Sequence, residues 1–276
     1  MSYPVRLPAT RSVVTVTHPT PAIWIIELHN GADSRLTEEF ITTALMPSLD
    51  VVEKHWREAF RAVRQTEDKK GAEGALIIVG NRSQHKFFSN GLDFAAVNSN
   101  PVSTATFFPH VFNPMVRRVL TFPIPVVAAL NGHTFAAGMA LALCCDYRVM
   151  TDGSSRNAWL CMNEVHFGSG WPLTLAAIMR AKVSDPRVLR KVALEGHRFT
   201  PQEALQAGLV DHIVKGDTDA VLAKAQEVAE SVRSCPTFGA WGVIKRDLYR
   251  DVVEASLRDV AGHSVAVEDA LAKARL

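Results

Sequence analysis

Short apolar runs, each followed by a polar or glycine-containing turn, recur along most of this chain. They are four to six residues long and rich in valine, isoleucine, leucine or alanine, a pattern typical of buried β-strands. The strands predicted in this way cover residues 13–16, 23–28, 75–80, 125–130, 147–150, 158–162 and 209–214.

The longer stretches between these runs have helical composition or helix start signals. Helices are predicted over residues 37–63 and 135–145, from near 172 and 186, over 200–208, and from 217 onward with breaks near 236 and 239. The clearest start is at Thr200, a good N-cap, because Pro201 suits the first turn and Glu203 can complete a capping box. Pro47 is expected to bend or divide the first helix. Since strands and helices alternate, the pattern predicts an α/β fold.

Composition and charge narrow the class of protein. With 276 residues the chain can bury a large core, and we predict one main domain. The net charge of +2 comes without a basic stretch, so nucleic acid is not an expected partner. The four cysteines have neither metal-ligand spacing nor disulfide-framework density, which indicates a reducing compartment. No apolar stretch reaches the roughly 18 residues of a membrane span and the first residues lack an apolar signal core, so we expect a soluble, non-secreted protein.

Three segments, in a definite order, carry the candidate chemistry. In residues 86–94 a glycine in a polar turn lets backbone N–H groups point outward at a ligand. In residues 130–146 a turn leads into a helix whose first N–H groups are unpaired and lie at the positive end of the helix dipole. In residues 162–172 the one carboxylate is Glu164. A carboxylate without an acidic partner can move a proton, but it cannot divide acid and base roles with a second one.

Together these segments resemble the enoyl-CoA hydratase/isomerase family, also called the crotonase superfamily. Its members show segments of the types Ala-Phe-Ser-Ala-Gly-x-Asp, Val-Asn-Gly-x-x-x-Gly-Gly-Gly-x-x-Leu-Ala-x-x-Cys-Asp and Pro-Glu-x-x-x-Gly in this order. The resemblance covers roughly residues 23–214. The variants Ser-Asn-Gly-Leu-Asp and Gly-His-x-x-Ala-Ala-Gly are most similar to the peroxisomal Δ3,Δ2-enoyl-CoA isomerases. The resemblance implies a crotonase-like spiral of ββα units over residues 1–214, a helical C-terminal region over 215–276 for trimerisation and the CoA pocket, and a homo-trimer or hexamer.

The resemblance also implies roles for individual residues. An oxyanion hole is expected from the backbone N–H groups of Leu92 and Ala137, with Glu164 as the catalytic base. The residues expected at the substrate are Ser89, Asn90, Gly91, Leu92, Asp93, Phe94, Ala136, Ala137 and Asn163. The apolar neighbours Val165, Phe167 and Trp171 are expected to make Glu164 more basic by desolvation.

Two positions depart from the hydratases of the family. Those hydratases use a second glutamate where this chain has Ala140, and alanine has no group to help hold a water molecule. Where relatives have three glycines, this chain has Ala136, Ala137 and Gly138. The two added methyl groups narrow the site, so a matching shift of the acyl pocket is expected.

The function implied is isomerisation of 3-enoyl-CoA to trans-2-enoyl-CoA in the β-oxidation of unsaturated fatty acids. One glutamate would move a proton from C2 to C4 while two N–H groups hold the enolate. No metal or redox cofactor is implied, since acyl-CoA is the substrate. Two alternatives stay open: another crotonase-type reaction, hydration or thioester hydrolysis, and a non-catalytic acyl-CoA-binding protein.

Charged residues away from the proton transfer have other expected roles. Asp146 is expected to satisfy buried backbone N–H groups, and Lys245 and Arg246 are candidates to meet the CoA phosphates. The residues Ala274-Arg275-Leu276 share the small, basic, leucine pattern of the Ser-Lys-Leu tripeptide that the peroxisomal import receptor reads. With the isomerase resemblance, this pattern predicts a peroxisomal location; the cytoplasm and the mitochondrial matrix are the alternatives.

Overall fold

Two β-sheets of unequal size form the centre of the molecule, within the residues 2–258 and 264–275 that the computed structural model describes. In chain order the strands are β1 (Val5–Leu7), β2 (Val14–Thr20), β3 (Ile23–Leu28), β4 (Ala75–Val79), β5 (Phe87–Ser89), β6 (Val126–Leu130), β7 (His133–Phe135), β8 (Tyr147–Thr151), β9 (Leu160–Cys161) and β10 (His212–Val214). The larger sheet has the order β1-β2-β3-β4-β6-β8-β10, and the smaller sheet has the order β5-β7-β9.

The two sheets are built from the same repeated unit. A strand of the larger sheet is followed by a strand of the smaller sheet in the pairs β4/β5, β6/β7 and β8/β9, and each pair is followed by helix. From β3 to β10 the neighbours in the larger sheet are parallel, as are all neighbours in the smaller one. Parallel neighbours require such crossover connections. The predicted α/β spiral of ββα units is therefore confirmed.

The helices cover the sheets and extend through the C-terminal region. In chain order they are α1 (Glu38–Phe40), α2 (Met46–Val63), α3 (Phe94–Val97), α4 (Pro101–Phe107), α5 (Asn113–Leu120), α6 (Ala137–Cys144), α7 (Leu173–Lys182), α8 (Pro186–Ala193), α9 (Pro201–Gln206), α10 (Thr218–Val232), α11 (Trp241–Leu248), α12 (Arg250–Leu257) and α13 (Val265–Arg275). Single π-helical turns occur at Ile41–Leu45 and Phe108–Phe112, and 3₁₀ turns at Lys70–Ala72 and Glu164–Phe167. In the part of the chain that is described, no helix combines the length and apolar character needed to cross a bilayer.

One local prediction about helix geometry is confirmed. The capping box at α9 is present: the Thr200 hydroxyl accepts from the Glu203 N–H, and the Glu203 carboxylate accepts from the Thr200 N–H at 2.8 Å. The division expected at Pro47 is absent, because residues 38–63 stay helical; a π-helical turn ends at Leu45, and Pro47 lies in the first turn of α2.

Buried apolar side chains pack on both faces of the larger sheet. On β4, Leu76 and Ile78 belong to the main core, whereas Ile77 faces a second cluster together with Val221 and Ala225 of α10. This alternation follows from the two-residue period of a strand. Helix α10 thus covers one face of the sheet, while the domain boundary drawn at residue 214 stays a prediction.

Two expectations are wrong in detail. The helix expected from Phe135 begins at Ala137, because residues 133–135 form β7 and pair with β5 and β9 instead. Lys245 does not reach outward to phosphates: its side chain is 5% exposed and its Nζ lies 2.8 Å from the Asp146 carboxylate. Asp146 also accepts from the Val126 N–H at 2.9 Å, so its expected structural role is confirmed.

Candidate active site

The three candidate segments meet at one cavity. The cavity has a volume of about 470 Å³, and it lies at the loop after β5, the start of α6 and the turn after β9. The residues predicted at the substrate that line it are Asn90, Leu92, Phe94, Ala136, Ala137 and Asn163, together with the predicted base Glu164. Most of the remaining wall is aromatic or aliphatic.

The loop after β5 approaches the start of α6 closely, which explains its glycine. Gly91 has a φ of +79°, and a Cβ atom placed there would lie 2.8 Å from the Phe135 carbonyl oxygen and 3.1 Å from the Ala137 nitrogen. Ser89 lies behind the loop: its hydroxyl donates to the Ser34 carbonyl at 2.7 Å and accepts from the Gly91 N–H at 3.2 Å.

Three residues predicted at the substrate, Ser89, Gly91 and Asp93, do not line the cavity. The Asp93 carboxylate caps α3 by accepting from the Ala96 N–H at 3.1 Å. All three residues shape the loop that carries Leu92.

Two residues that line the cavity have backbone N–H groups without an acceptor among the described residues. Ala137 is the first residue of α6, so its N–H has no acceptor within the helix. Within residues 2–258 and 264–275, no hydrogen bond between backbone groups has the Leu92 or the Ala137 N–H as its donor.

Glu164 begins the 3₁₀ turn that follows β9, and the residue is partly buried. Its Oε2 atom is inaccessible to solvent and has no hydrogen-bond partner. The pKa of Glu164 is raised because burial desolvates the carboxylate; hydrogen bonds from its own N–H and from the Trp171 side chain partly oppose the rise. Phe167 and Trp171 line the cavity beside it as expected, whereas Val165 does not line it.

Comparison with known proteins assigns the family. The family model described as enoyl-CoA hydratase/isomerase matches residues 51–260. The chain belongs to this family. It is 30% identical over 189 residues to the peroxisomal enoyl-CoA delta isomerase 2 of Arabidopsis thaliana, and this alignment covers 66% of this chain and 77% of the relative. It is 29% identical over 221 residues to the mitochondrial enoyl-CoA delta isomerase 1 of Mus musculus, which covers 80% of this chain and 68% of the relative.

Solved structures agree on the fold. An enoyl-CoA isomerase of Mycobacterium tuberculosis superposes with a TM-score of 0.72 at 23% identity, covering 88% of this chain and 94% of the other. An enoyl-CoA hydratase/isomerase family protein of Pseudomonas syringae superposes with a TM-score of 0.73 at 21% identity, and the superposition covers 88% of this chain and 93% of the other. The family and its relatives support an enoyl-CoA hydratase or isomerase activity for this chain.

Among the described residues that line the cavity of this family member, Glu164 is the one acidic residue. Ala140 is fully buried in α6 within the main core. The described residues contain no group of three or more His, Cys, Asp and Glu side chains that could hold a metal ion.

Sequence reasoning missed Arg35 and three aromatic residues of the cavity wall, Phe108, Phe112 and Phe135. Arg35 lies in the turn after β3, and its guanidinium donates to the Leu92 carbonyl at 2.8 Å. A usable signal existed for Arg35, because β3 and β4 are parallel neighbours whose carboxyl ends meet at one edge of the sheet. No comparable signal existed for Phe108 and Phe112, which lie in a stretch of the chain for which no element had been predicted.

Proposed function

We propose that this chain isomerises 3-enoyl-CoA thioesters to trans-2-enoyl-CoA in the oxidation of unsaturated fatty acids. One observation carries the proposal: among the described residues, a single partly buried carboxylate with an unpaired oxygen shares a largely apolar cavity with two residues whose N–H groups are unpaired. Supporting it are the relatives named enoyl-CoA delta isomerase.

The proposed reaction needs only these groups. The thioester oxygen accepts hydrogen bonds from the Leu92 and Ala137 N–H groups while the Glu164 carboxylate removes a proton from C2. The electrons of the broken C–H bond form a dienolate conjugated with the C3=C4 double bond. The carboxylic acid of Glu164 then returns the proton to C4, leaving the double bond between C2 and C3. Removing one such oxyanion donor typically raises a barrier by about 3–4 kcal/mol, so the two N–H groups matter as much as the base.

The surroundings of Glu164 suit the role of a base. Its pKa is raised by desolvation, and a more basic carboxylate removes a weakly acidic C2 proton more readily. Phe167 and Trp171 give the same cavity an aromatic wall, and a bound acyl chain packed against it would shield the enolate from proton exchange with solvent.

The acyl chain is proposed to lie against a hydrophobic wall opposite the methyl groups of the α6 start. Phe108 and Phe112, from the π-helical turn before α5, and Leu175 of α7 line this part of the cavity. A chain bound along this wall would lie away from Ala136 and Ala137, in line with the shift of the acyl pocket expected from those two residues.

Glu164→Gln tests the proposal, with trans-3-hexenoyl-CoA as substrate and the absorbance of the conjugated 2-enoyl thioester as readout. Loss of the base should lower kcat by about 10²–10⁴-fold, while hexanoyl-CoA binding is largely kept because the amide has the same shape. Glu227→Gln, on the exposed face of α10, is the matched control and should be fully active. Unchanged turnover in Glu164→Gln would favour a binding protein, and hydration of 2-hexenoyl-CoA faster than isomerisation would favour a hydratase.

Assembly and location complete the proposal. We infer a homo-trimer or hexamer, supported by the exposed apolar side chains Val243, Ile244 and Leu248 on α11; light scattering of the purified protein tests it. We also infer a peroxisomal location, supported by the peroxisomal relative and by residues 274–276, of which Leu276 lies outside the described residues. Deleting these three residues should release a fluorescent fusion into the cytosol.

A further inference from the structure

The turn after β3 is hydrogen-bonded to the loop that carries the Leu92 N–H. The Asn90 N–H donates to the Asp33 carbonyl at 2.9 Å, and the Leu36 N–H donates to the Gly91 carbonyl at 2.8 Å. The position of the Leu92 donor therefore depends on residues more than fifty positions earlier in the chain.

Side chains add further hydrogen bonds between this turn and the loop, at the wall of the cavity. The Arg35 Nη1 donates to the Leu92 carbonyl at 2.8 Å, and its Nε donates to the Asp33 Oδ2 at 3.0 Å. The same Oδ2 accepts from the Asn90 Nδ2 at 2.9 Å. Asp33 thus orients two side chains, and both Arg35 and Asn90 line the cavity.

We propose that Arg35 is a positioning residue for the oxyanion donor of Leu92, and that Asp33 orients Arg35. The Leu92 N–H shares its peptide plane with the Gly91 carbonyl, which the Leu36 N–H holds, and the guanidinium holds the next carbonyl, that of Leu92. Together these two bonds restrain the Leu92 torsions on both sides of the N–H donor. The positive charge of the guanidinium at the cavity wall also favours negative charge on the thioester oxygen. The inference rests on the proposed function, since it assumes that this N–H binds a developing oxyanion.

Geometry and exposure separate this role from a purely structural one. The Arg35 and Asp33 side chains are 39% and 28% exposed, and an ion pair with this access to solvent contributes little to folding stability. A misplaced donor is a larger loss, because a displacement of about 1 Å in a catalytic group lowers a rate by about 10²-fold. A lysine cannot replace the arginine fully, since one ammonium group lacks the planar fork that reaches both acceptors.

The test compares Arg35→Met and Arg35→Lys with a matched control. Arg187 pairs with Asp185 at the same two-residue spacing, but 83% of its side chain is exposed and it does not line the cavity, so Arg187→Met serves as control. With trans-3-hexenoyl-CoA, Arg35→Met should lower kcat by about 10- to 100-fold with KM changed less than about threefold, and Arg35→Lys should be intermediate. Arg187→Met should match the wild type, and all three variants should keep the wild-type Tm within a few degrees.

A spectroscopic readout separates this inference from the reaction assigned above. Binding should lower the carbonyl stretching frequency of ¹³C-labelled hexanoyl-CoA in the wild type and in Glu164→Gln, and Arg35→Met should lose much of that shift. If Glu164→Gln keeps isomerase activity, the proposed reaction is refuted, while the carbonyl band still tests whether Arg35 positions the Leu92 donor. A raised KM with an unchanged kcat and an unchanged carbonyl band would assign Arg35 to CoA binding and overturn the inference. If Arg35→Met does not fold, Arg35→Lys and Asp33→Asn carry the same test.

Discussion

Gly91→Ala tests the close approach between the loop after β5 and the start of α6. The added Cβ would lie 2.8 Å from the Phe135 carbonyl oxygen and 2.9 Å from the Ala136 Cβ, whereas ordinary contact begins at 3.4 Å. Both neighbours are backbone or backbone-attached atoms that cannot rotate away. The two loops must therefore separate by about half an ångström.

The expected magnitude combines two costs. A non-glycine residue at φ +79° costs about 1–2 kcal/mol, and overpacking against a rigid wall costs about 1–3 kcal/mol, so the free energy of unfolding should fall by about 2–5 kcal/mol. Separation of the loops moves the Leu92 N–H away from the Ala137 N–H. Since a 1 Å misplacement costs about 10²-fold, the isomerase rate should fall by about tenfold or more.

Gly208→Ala is the control that isolates the torsional cost. Gly208 has a φ of +68°, but a Cβ placed there has nothing within 4 Å, so this variant should lose about 1–2 kcal/mol and stay fully active. Urea unfolding and the hexenoyl-CoA assay measure both quantities. Equal losses of stability in the two variants, with full activity in Gly91→Ala, would refute the steric argument.

Three further predictions concern strain, protonation and buried charge. Ala136→Gly removes a non-glycine residue at φ +51°, so the free energy of unfolding should stay equal or rise by up to about 2 kcal/mol. A clear fall in that free energy, measured by urea unfolding, would contradict backbone strain at Ala136. Because the pKa of Glu164 is raised, the isomerase rate should increase with pH through an apparent pKa above that of an ordinary carboxyl group. The protonated Glu164 carboxyl contributes stability that is complete below its unfolded pKa and lost as the pH rises through its folded pKa. Glu164→Gln should therefore be more stable than the wild type near neutral pH but not in acid. A stability difference independent of pH would count against desolvation of Glu164 as the cause. Lys245→Met leaves Asp146 buried without its cation and should cost about 3–5 kcal/mol in urea unfolding, of which the double variant with Asp146→Asn should recover part.

The regular elements were predictable where the signal is local. The strand at residues 23–28 follows from a continuous apolar run, and the start of α9 follows from the capping chemistry of Thr200 and Glu203. The three-residue strands β5 and β7 were not predicted, because such short segments become strands only through pairing with each other and with β9. Helices α3 to α5 were missed as well.

Some residues of the candidate site were also predictable from the sequence, and others were not. The motif segments led to Leu92, Ala137 and Glu164, and the fold brings these three residues to one cavity. Their roles in a reaction stay predictions. Arg35 was missed although it follows β3, whose carboxyl end lies beside that of β4. Lys245 was assigned to phosphates although it is buried against Asp146, because that contact leaves no mark in the neighbouring sequence.

By itself the sequence determined the alternation of strands and helices, the order of the three segments and the presence of one carboxylate without a twin. These features depend on residue type and spacing, which local preferences express directly. Only the tertiary structure decided that Glu164 is desolvated, that the Leu92 and Ala137 N–H groups lack acceptors among the described residues, and that Arg35 reaches the loop from another part of the chain. Desolvation and hydrogen-bond pairing are set by the atoms that surround a group in space, and most of those atoms belong to residues far away in sequence.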